Sequence, residues 1–386
     1  MYRKFTAEKI FSGRAMMPEG SVLIVRADGT VEAIVDRDEA GEGGQYFEGI
    51  LSPGLVNCHC HLELSHMKGI IPEGAGMVDF LLSVVQQRNI SEQIILESIE
   101  KAEAEMLANG IVAVGDICNT DFTIRQKSKK NLYYYNFIEV SGYAPSVAGS
   151  RFEKARGLYD KFVSIGSDAS IVPHATYSLS GDLLKKINQF QQNNVLTIHN
   201  QESDIEDEWI REKKGDLTRL YHQLSIATDF FQPQGISSLH YFLNPISEFR
   251  PLILVHNLFS TDADVQYANQ LFSQHNSQLY YCLCPNANMY INKKLPDVDL
   301  FINNQCKIVL GTDSLSSNKQ LSIHEEIKTL QNAYPHIRLE QFLQWATING
   351  AEALGISDTF GSFEKGKKPG IVLWDEDVLN VKCLQV

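Results

Sequence analysis

The stretch that decides the fold is Pro53-Gly-Leu-Val-Asn-Cys-His59-Cys-His61, an apolar run that ends in two alternating histidines. Gly54–Cys58 has the length and composition of a strand that is buried on both faces. Side chains two positions apart on an extended chain point the same way, so His59 and His61 are expected to face one side together. The stretch predicts a buried strand that delivers two imidazoles to one point.

Seven more apolar runs of this kind follow along the chain. The eight predicted strands are Gly54–Cys58, Ile111–Asp116, Leu132–Glu139, Ser170–His174, Val195–His199, Leu252–His256, Leu279–Cys284 and Lys307–Thr312. Helical stretches lie between them, for example Ser91–Asn109 and Glu153–Ile165. Eight strand–helix units in roughly 300 residues are what a closed parallel barrel requires. The predicted fold class is therefore α/β, a (β/α)8 TIM barrel over residues 51–357.

Both ends of the chain are rich in strand-like segments. Ser21–Arg26 and Val31–Val35 are joined by Asp28-Gly29, which is typical of a β-hairpin. Gly370–Trp374 is strand-like again near the other end. We expect residues 1–50 and 358–386 to form one small β-sandwich domain beside the barrel.

The composition favours a protein that acts on a small, neutral or weakly charged molecule. The 386 residues carry 34 Lys and Arg against 47 Asp and Glu, a formal charge of -13. An acidic surface repels phosphate backbones and anionic headgroups, so no nucleic-acid or membrane partner is expected.

No signal peptide or membrane span is expected either. Seven cysteines in a long chain indicate reduced thiols and a cytoplasmic location. Association into a homodimer stays open.

Polar residues stand at the ends of most of the predicted strands. Beyond the first strand they are His174, His199 with Glu202 close behind, His256, Asn288 in the turn after the seventh strand, and Asp313. A parallel barrel presents the carboxyl ends of all its strands at one face, where active sites lie. We therefore expect these residues to converge although they are far apart in the sequence.

Three imidazoles and a carboxylate from this set predict a zinc site. His59, His61, His199 and Asp313 would supply nitrogen and oxygen ligands at roughly 2.0–2.2 Å, and the bound ion would lower the pKa of a water to roughly 7. Each residue alone has another interpretation, because a histidine at a strand end is often a hydrogen-bonded structural residue. The cysteines near the histidines compete for the metal, but we interpret them as packing residues; they are Cys58, Cys60, Cys282 and Cys284.

These motifs together resemble the amidohydrolase superfamily. The matching stretches are Pro53–His61, His199-Asn-Gln-Glu202, His256, Cys284-Pro-Asn-Ala-Asn288, Leu310-Gly-Thr-Asp313-Ser, Ala346–Gly355 and Gly361–Lys368. The subgroup that the chain is most similar to holds cytosine and guanine deaminases, deaminases of adenosine derivatives and triazine chlorohydrolases. The resemblance extends over nearly the whole chain.

The resemblance implies roles for individual residues. It implies one Zn²⁺ per chain on His59, His61, His199 and Asp313, although Fe²⁺ suits the same ligands. Asp313 or Glu202 would take a proton from the water, Glu202 would pass a proton to the substrate ring, and His256 would stabilise the developing oxyanion. The residues expected to contact the substrate are His174, Tyr177, Glu63, His66 and Asn288.

The function that follows is a metal-dependent hydrolytic deaminase. It would release ammonia from an aminated purine, pyrimidine or nucleoside-type heterocycle. One alternative keeps the scaffold and changes the leaving group, giving a chlorohydrolase or a cyclic amide hydrolase. The segment around Glu63 and Asp79–Arg88 also faintly resembles the deaminases of 6-amino-6-deoxyfutalosine. A non-catalytic scaffold protein is a further alternative, which the complete ligand set disfavours.

Overall fold

A computed structural model describes residues 2–375 and 380–384. Its strands are β1 Tyr2–Ile10, β2 Val22–Arg26, β3 Val31–Val35, β4 Gln45–Pro53, β5 Leu55–Cys60, β6 Ile111–Cys118, β7 Tyr133–Val140, β8 Asp168–Pro173, β9 Leu196–Asn200, β10 Leu252–His256, β11 Leu279–Leu283, β12 Lys307–Leu310, β13 Ile371–Trp374 and β14 Val381–Cys383. The helices are α1 Arg37–Ala40, α2 Met77–Gln87, α3 Glu92–Ala108, α4 Ile124–Lys127, α5 Ala148–Ser164, α6 Gly181–Gln189, α7 Asp204–Glu212, α8 Leu217–Gln223, α9 Ser238–Leu243, α10 Asp262–Gln274, α11 Pro285–Asn292, α12 Val298–Asn303, α13 Ile323–Ala333, α14 Leu339–Ala346 and α15 Ile348–Ala353. Short 3₁₀ turns lie at Leu62–Met67, Pro145–Val147 and Thr176–Ser178.

The middle of the chain is an α/β fold with two four-stranded parallel sheets. Their strand orders are β5-β6-β7-β8 and β12-β11-β10-β9. β5, β9, β10 and β11 are buried along their whole length, as expected for parallel strands that are covered on both faces. All eight predicted runs form strands, with bounds that differ from the prediction by no more than two residues. In the described part of the chain, no helix is long and apolar enough to cross a membrane.

The two sheets meet at the carboxyl ends of their edge strands. At one junction, the amides of Thr312 and Asp313 donate to the carbonyl of His59, at 3.0 Å each. At the other junction, the amide of His199 donates to the carbonyl of His174 at 3.0 Å. Isolated bridges make these links, and closure into a continuous barrel stays a prediction. Residues of the predicted metal site therefore lie at both junctions.

Several helices begin at a short polar side chain that accepts a hydrogen bond from a free amide of the first turn. Ser180 accepts a hydrogen bond from Leu183 N at the start of α6, and Thr261 accepts one from Asp264 N at the start of α10. α3 matches its predicted range within one residue at each end. α5 begins five residues before its predicted start. Gly149 and Ser150 are poor helix formers, so the sequence pattern did not indicate the first turn of this helix.

A six-stranded sheet combines strands from both ends of the described chain. Its order is β14-β13-β4-β1-β2-β3, and β2 and β3 form the predicted antiparallel hairpin. Phe5, Leu23, Val25, Leu51 and Ile371 form much of its core. The six strands β1–β4, β13 and β14 form a single sheet, whereas a β-sandwich needs two, so the β-sandwich stays a prediction. The domain limits 1–50 with 358–386 also stay predictions. Residues 1, 376–379 and 385–386 of that region lie outside the described residues.

Candidate active site

Four candidate ligand atoms from distant parts of the sequence converge at the sheet junction. His61 Nε2 lies 3.2 Å from His59 Nε2, 3.3 Å from His199 Nε2 and 3.3 Å from Asp313 Oδ1. His59 Nε2 lies 3.5 Å from Asp313 Oδ1. A tetrahedral site with ligand distances of roughly 2.0–2.1 Å has edges of roughly 3.3–3.4 Å. The spacing of the four atoms therefore fits one zinc-sized divalent cation.

Hydrogen bonds hold two of these side chains in the orientation that a metal needs. His199 Nδ1 lies 2.8 Å from the carbonyl oxygen of His174, to which it donates, and this leaves Nε2 free to act as a ligand. The hydroxyl of Ser317 donates to Asp313 Oδ2, so Oδ1 faces the histidines. Such second contacts fix the tautomer and the direction of each ligand.

Three of the four groups are held in the protonation state that binds a metal. Burial holds the pKa of both His59 and His61 well below the ordinary value, so both imidazoles are neutral at pH 7. Burial raises the pKa of Asp313, but His61, His256 and the Ser317 hydroxyl outweigh this and keep its pKa below the ordinary value. Neutral imidazoles and an ionised carboxylate are the donor set that zinc prefers.

Glu202 and His256 stand beside the four ligand atoms. His256 Nε2 lies 3.5 Å from Glu202 Oε1, and it is buried with no hydrogen-bond partner. The Asn288 amide nitrogen lies 3.3 Å from His256 Nδ1, and a bond from that amide would leave the imidazole proton on Nε2. Burial and the nearby carboxylates of Asp313 and Glu206 hold the pKa of Glu202 well above its ordinary value. The pair can thus supply a carboxyl proton and an N–H donor at one point.

The backbone around this site adopts rarely used conformations. His256 has φ 73° and Asp313 has φ 55°, and Gln201, one residue before Glu202, has φ 45°. These are left-handed values, which non-glycine residues adopt only where the surrounding structure enforces them. Each follows or ends one of the parallel strands, so the chain turns sharply where it presents a functional side chain.

A cavity of about 540 Å³ opens at these residues. His61, His199, Glu202, His256 and Asp313 line its polar end. Its opposite wall is largely apolar and includes Leu81, Val84, Tyr143, Leu220, Tyr221 and Ile226. The volume is in the range of small-molecule sites, and the chemistry is confined to one end of it.

Two of the five predicted substrate contacts lie in the cavity wall. His174 and Tyr177 both line it, with their rings edge to face at 5.8 Å. Burial lowers the pKa of His174 to about 4, so its imidazole is neutral. Both side chains are therefore placed to touch a bound molecule.

The other three predicted contacts do not line the cavity, and their role as substrate contacts stays a prediction. Glu63 is 3% exposed, and its two oxygens are occupied by Arg88, Thr120 and backbone amides. His66 Nε2 is bonded to the carbonyl of Arg88. Asn288 is fully buried behind His256. Protein contacts hold all three side chains, although His66 Nδ1 and Asn288 Oδ1 have no hydrogen-bond partner among the described residues.

The four cysteines near the histidines are fully buried. Gly350, in α15, lies so close to Cys58 that an added Cβ would meet its sulfur at 3.1 Å. A Cβ added to Gly311 would likewise meet the sulfur of Cys282 at 2.9 Å and that of Cys284 at 3.0 Å. Burial holds the pKa of the Cys58 and Cys284 thiols well above the ordinary value. Neutral, buried thiols are consistent with the packing role that we predicted.

The sequence reasoning did not single out Glu139 and Asn119, which both line the cavity. Asn119 Nδ2 donates to Glu139 Oε2 at 3.1 Å, and Arg88 Nη1 donates to Asn119 Oδ1 at 3.3 Å. Glu139 is the last residue of the third predicted strand. The rule that pointed to the other strand ends would have pointed to it as well.

Comparison with known proteins identifies the class of this fold and site. Residues 50–384 match the model of the amidohydrolase family, and the chain belongs to that family. A 5-methylthioadenosine/S-adenosylhomocysteine deaminase of Saccharophagus degradans is 24% identical, with 97% of this chain and 85% of the relative aligned. An adenosine deaminase of Helicobacter pylori is 26% identical over 84% of this chain and 78% of its own length.

A solved structure shares the fold over almost the whole chain. It is Helicobacter pylori aminofutalosine deaminase in complex with methylthio-coformycin, with a TM-score of 0.78 and 22% identity. The similarity covers 97% of this chain and 92% of the other. It supports a TIM-barrel-type arrangement for the two parallel sheets.

Proposed function

We propose that this protein is a metal-dependent hydrolytic deaminase that releases ammonia from an aminated purine of the nucleoside type. The observation that carries the proposal is the convergence of His59, His61, His199 and Asp313, with His61 Nε2 within 3.3 Å of an atom of each of the other three. They meet at the cavity that Glu202 and His256 also line. The relatives support the leaving group, since both are named as deaminases of adenosine or its derivatives.

One Zn²⁺ per chain on these four residues is the metal that we propose. The neutral imidazoles and the single carboxylate suit zinc, and Fe²⁺ is the alternative with the same ligands. When bound, such an ion lowers the pKa of water and so supplies a nucleophile near neutral pH. His174 O and Ser317 orient two of the ligands, as described above.

The remaining chemistry is proton movement by residues of this chain. Asp313, whose carboxylate is ionised, accepts a proton from the attacking water, and the Glu202 carboxyl, whose pKa is raised, delivers a proton to the ring nitrogen next to the reacting carbon. His256 Nε2–H donates to the oxygen as negative charge grows on it. A second proton, carried to the amino nitrogen, lets ammonia leave and a carbonyl form. General acid–base catalysis of this kind contributes roughly 10²–10⁴-fold.

The shape of the cavity favours a nucleoside over a smaller ring. A purine at the polar end would leave much of the 540 Å³ unfilled, and the wall beyond it is apolar. The His174 ring lies 4.9 Å from the ring of His199, and the Tyr177 ring lies 5.8 Å from that of His174. Adenosine derivatives with varied 5′ groups are therefore the first substrates to test, and aminodeoxyfutalosine is one of them.

The decisive experiment is an ammonia-release assay on the zinc-loaded protein. The panel holds adenosine, 5′-deoxyadenosine, 5′-methylthioadenosine, guanine, cytosine and aminotriazines. Turnover of at least one adenosine derivative, abolished in His61→Ala, is the expected result. No ammonia from any member, with zinc bound at one ion per chain, would contradict the proposed deamination.

The same panel separates the alternative leaving groups. Chlorotriazines and cyclic amides are added, and chloride release and ring opening are followed beside ammonia. Turnover of these compounds alone would support a chlorohydrolase or cyclic amide hydrolase on the same scaffold.

The remaining architectural and cellular predictions form part of the proposal. Strands β5–β12 close into one (β/α)8 barrel of residues 51–357, and residues 1–50 with 358–386 form the small β domain. The protein acts in the cytoplasm without nucleic-acid or membrane partners, and homodimer formation is open to sedimentation measurements. The bridges at both sheet junctions support the barrel.

A further inference from the structure

Glu139 carries a buried carboxylate oxygen that no protein group satisfies. Its side chain is 8% exposed at the carboxyl end of β7, and it lines the cavity. Oε2 accepts a hydrogen bond from Asn119, whereas Oε1 has no hydrogen-bond partner. A buried polar atom without a partner is costly, and native structures rarely leave one unless a ligand or water satisfies it. Glu139 Oε1 therefore calls for a hydrogen-bond donor from the cavity.

The neighbouring histidine offers a second acceptor. His174 Nδ1 lies 2.8 Å from Ser178 Oγ, and Ser178 uses its single hydroxyl proton on the carbonyl of Ala175 at 2.9 Å. A neutral His174 must then donate from Nδ1, which leaves its Nε2 as a bare acceptor. A ring nitrogen of His174 and a carboxylate oxygen of Glu139 lie within 4.8 Å of each other. The cavity wall thus presents two adjacent acceptors.

The nearby charges favour a neutral donor over a cation. The guanidinium of Arg88 lies beside the same Asn119 amide that holds Glu139, and it also lines the cavity. A ligand ammonium at Glu139 would have to approach this guanidinium. Two neighbouring hydroxyl groups satisfy both acceptors without adding charge, and a ribose carries such a pair at its 2′ and 3′ positions.

A hydrogen bond from the candidate metal ligand His199 does not account for Glu139 Oε1. This oxygen lies 3.6 Å from His199 Nδ1, but that nitrogen already donates to the carbonyl of His174 at 2.8 Å. The longer contact is beyond hydrogen-bond range. Oε1 is therefore left without a partner on a side chain that lines the cavity.

We propose that Glu139, together with His174, binds the 2′ and 3′ hydroxyls of the substrate, so that the enzyme selects ribonucleosides over free bases and deoxynucleosides. This inference rests on the proposed nucleoside deaminase function. It assigns Glu139 to substrate recognition, with no part in proton transfer.

The test compares Glu139→Gln with the wild type on four substrates. They are adenosine, 2′-deoxyadenosine, 3′-deoxyadenosine and adenine, with kcat and KM measured separately and zinc content determined for each protein. Glutamine has nearly the same shape and retains an oxygen for Asn119, but it turns a donor group towards the cavity. Glu153→Gln, on the exposed face of α5, is the matched control.

We expect Glu139→Gln to lower kcat/KM for adenosine by roughly 10- to 100-fold, mainly through KM. The wild type should prefer adenosine over at least one deoxynucleoside by about tenfold or more, and the variant should lose this preference while keeping its zinc. Glu153→Gln should behave as the wild type. An unchanged preference in Glu139→Gln, or an equal loss on all four substrates together with loss of zinc, would overturn the assignment.

A binding measurement separates this inference from the proposed function. Calorimetry compares inosine with 2′- and 3′-deoxyinosine on the wild type and on Glu139→Gln. If the wild type releases no ammonia, the deaminase proposal fails. A preference for inosine that disappears in the variant would still support Glu139, and equal wild-type affinity for all three nucleosides would refute it.

Discussion

His59 and Asp313 are linked twice, once through the backbone and once through their side chains. The amide of Asp313 donates to the carbonyl of His59 at 3.0 Å, and Asp313 Oδ1 lies 3.5 Å from His59 Nε2. The hydrogen bond that joins β5 to the segment after β12 therefore also sets the distance between two of the ligand atoms. The same two residues therefore join the two sheets and form part of the candidate metal site.

Removal of His61 should empty the site. His61 Nε2 is within 3.3 Å of three other ligand atoms, so His61→Ala leaves an incomplete set. We expect zinc content to fall from about one ion per chain to a small fraction of that, and activity to fall by about 10³-fold or more. Metal analysis after dialysis, with the exposed His336→Ala as control, measures this. Full zinc occupancy in His61→Ala would refute its role as a ligand.

Glu202→Gln should separate metal binding from catalysis. The amide cannot carry the proton, but it preserves the size of the side chain. We expect one zinc per chain and a kcat lower by roughly 10²–10⁴-fold, since general acid–base catalysis supplies a factor of that size. Metal analysis and steady-state kinetics check both parts. A fully active variant would show that another group moves the proton.

Gly311 should tolerate no side chain. A Cβ at this position would meet His59 Cβ at 2.7 Å and the sulfur of Cys282 at 2.9 Å. We expect Gly311→Ala to destabilise the protein by roughly 1–3 kcal/mol and to weaken zinc binding, because the Cβ of a ligand must shift.

Gly157 provides the matched control for this substitution. It lies within α5, and nothing comes within 4 Å of an added Cβ. Gly157→Ala should be neutral or stabilising by up to about 1 kcal/mol. Denaturant unfolding and zinc competition measure both variants, and equal behaviour of the two would contradict the close packing at Gly311.

The buried Lys127–Asp116 pair should be intolerant of a single substitution. The two side chains are fully buried and 2.5 Å apart, and Asp116 also accepts from the amide of Leu62, next to His61. Lys127→Met leaves a buried carboxylate without its cation, which costs roughly 3–5 kcal/mol. The double variant Asp116→Asn with Lys127→Met should lose less. Chemical unfolding tests the order, and a larger loss in the double variant would contradict this account.

Glu326 should make stability depend on pH. Burial raises its pKa from 4.5 to about 8, so between these values the folded protein holds a proton that the unfolded chain releases. Its contribution to stability is complete below about pH 4.5 and is lost as pH rises to about 8, by at most roughly 1.4 kcal/mol per pH unit.

Glu326→Gln removes this titration. The melting temperature of the variant should therefore rise relative to that of the wild type between pH 5 and pH 8. Thermal unfolding across this range, with Glu153→Gln as control, measures the difference. A difference that is independent of pH would show that Glu326 ionises normally in the folded protein.

Much of the candidate site could be predicted because its signals are local. A run such as Leu252–His256 is apolar throughout, and a parallel strand covered on both faces requires this. The observed strand has the predicted bounds, and a functional histidine closes it. The positions of His59, His61, His199, His256 and Asp313 followed from the same pattern.

The sequence could not show which side chains other residues would hold. Glu63 follows the histidine pair and was expected to touch substrate, but Arg88 and Thr120 occupy its oxygens. Glu139 has the same chemical group at a strand end, and one of its oxygens is left for a ligand. Nothing in the local sequence distinguishes the two carboxylates.

The sequence by itself determined the order of strands and helices and the residues at the strand ends, because periodicity and polarity act over a few neighbouring positions. Only the tertiary structure decided which of those residues meet, at what distance, and which remain unpaired. Hydrogen bonds and ion pairs between distant segments depend on distances of a few ångströms, and folding sets these distances only when the two sheets come together.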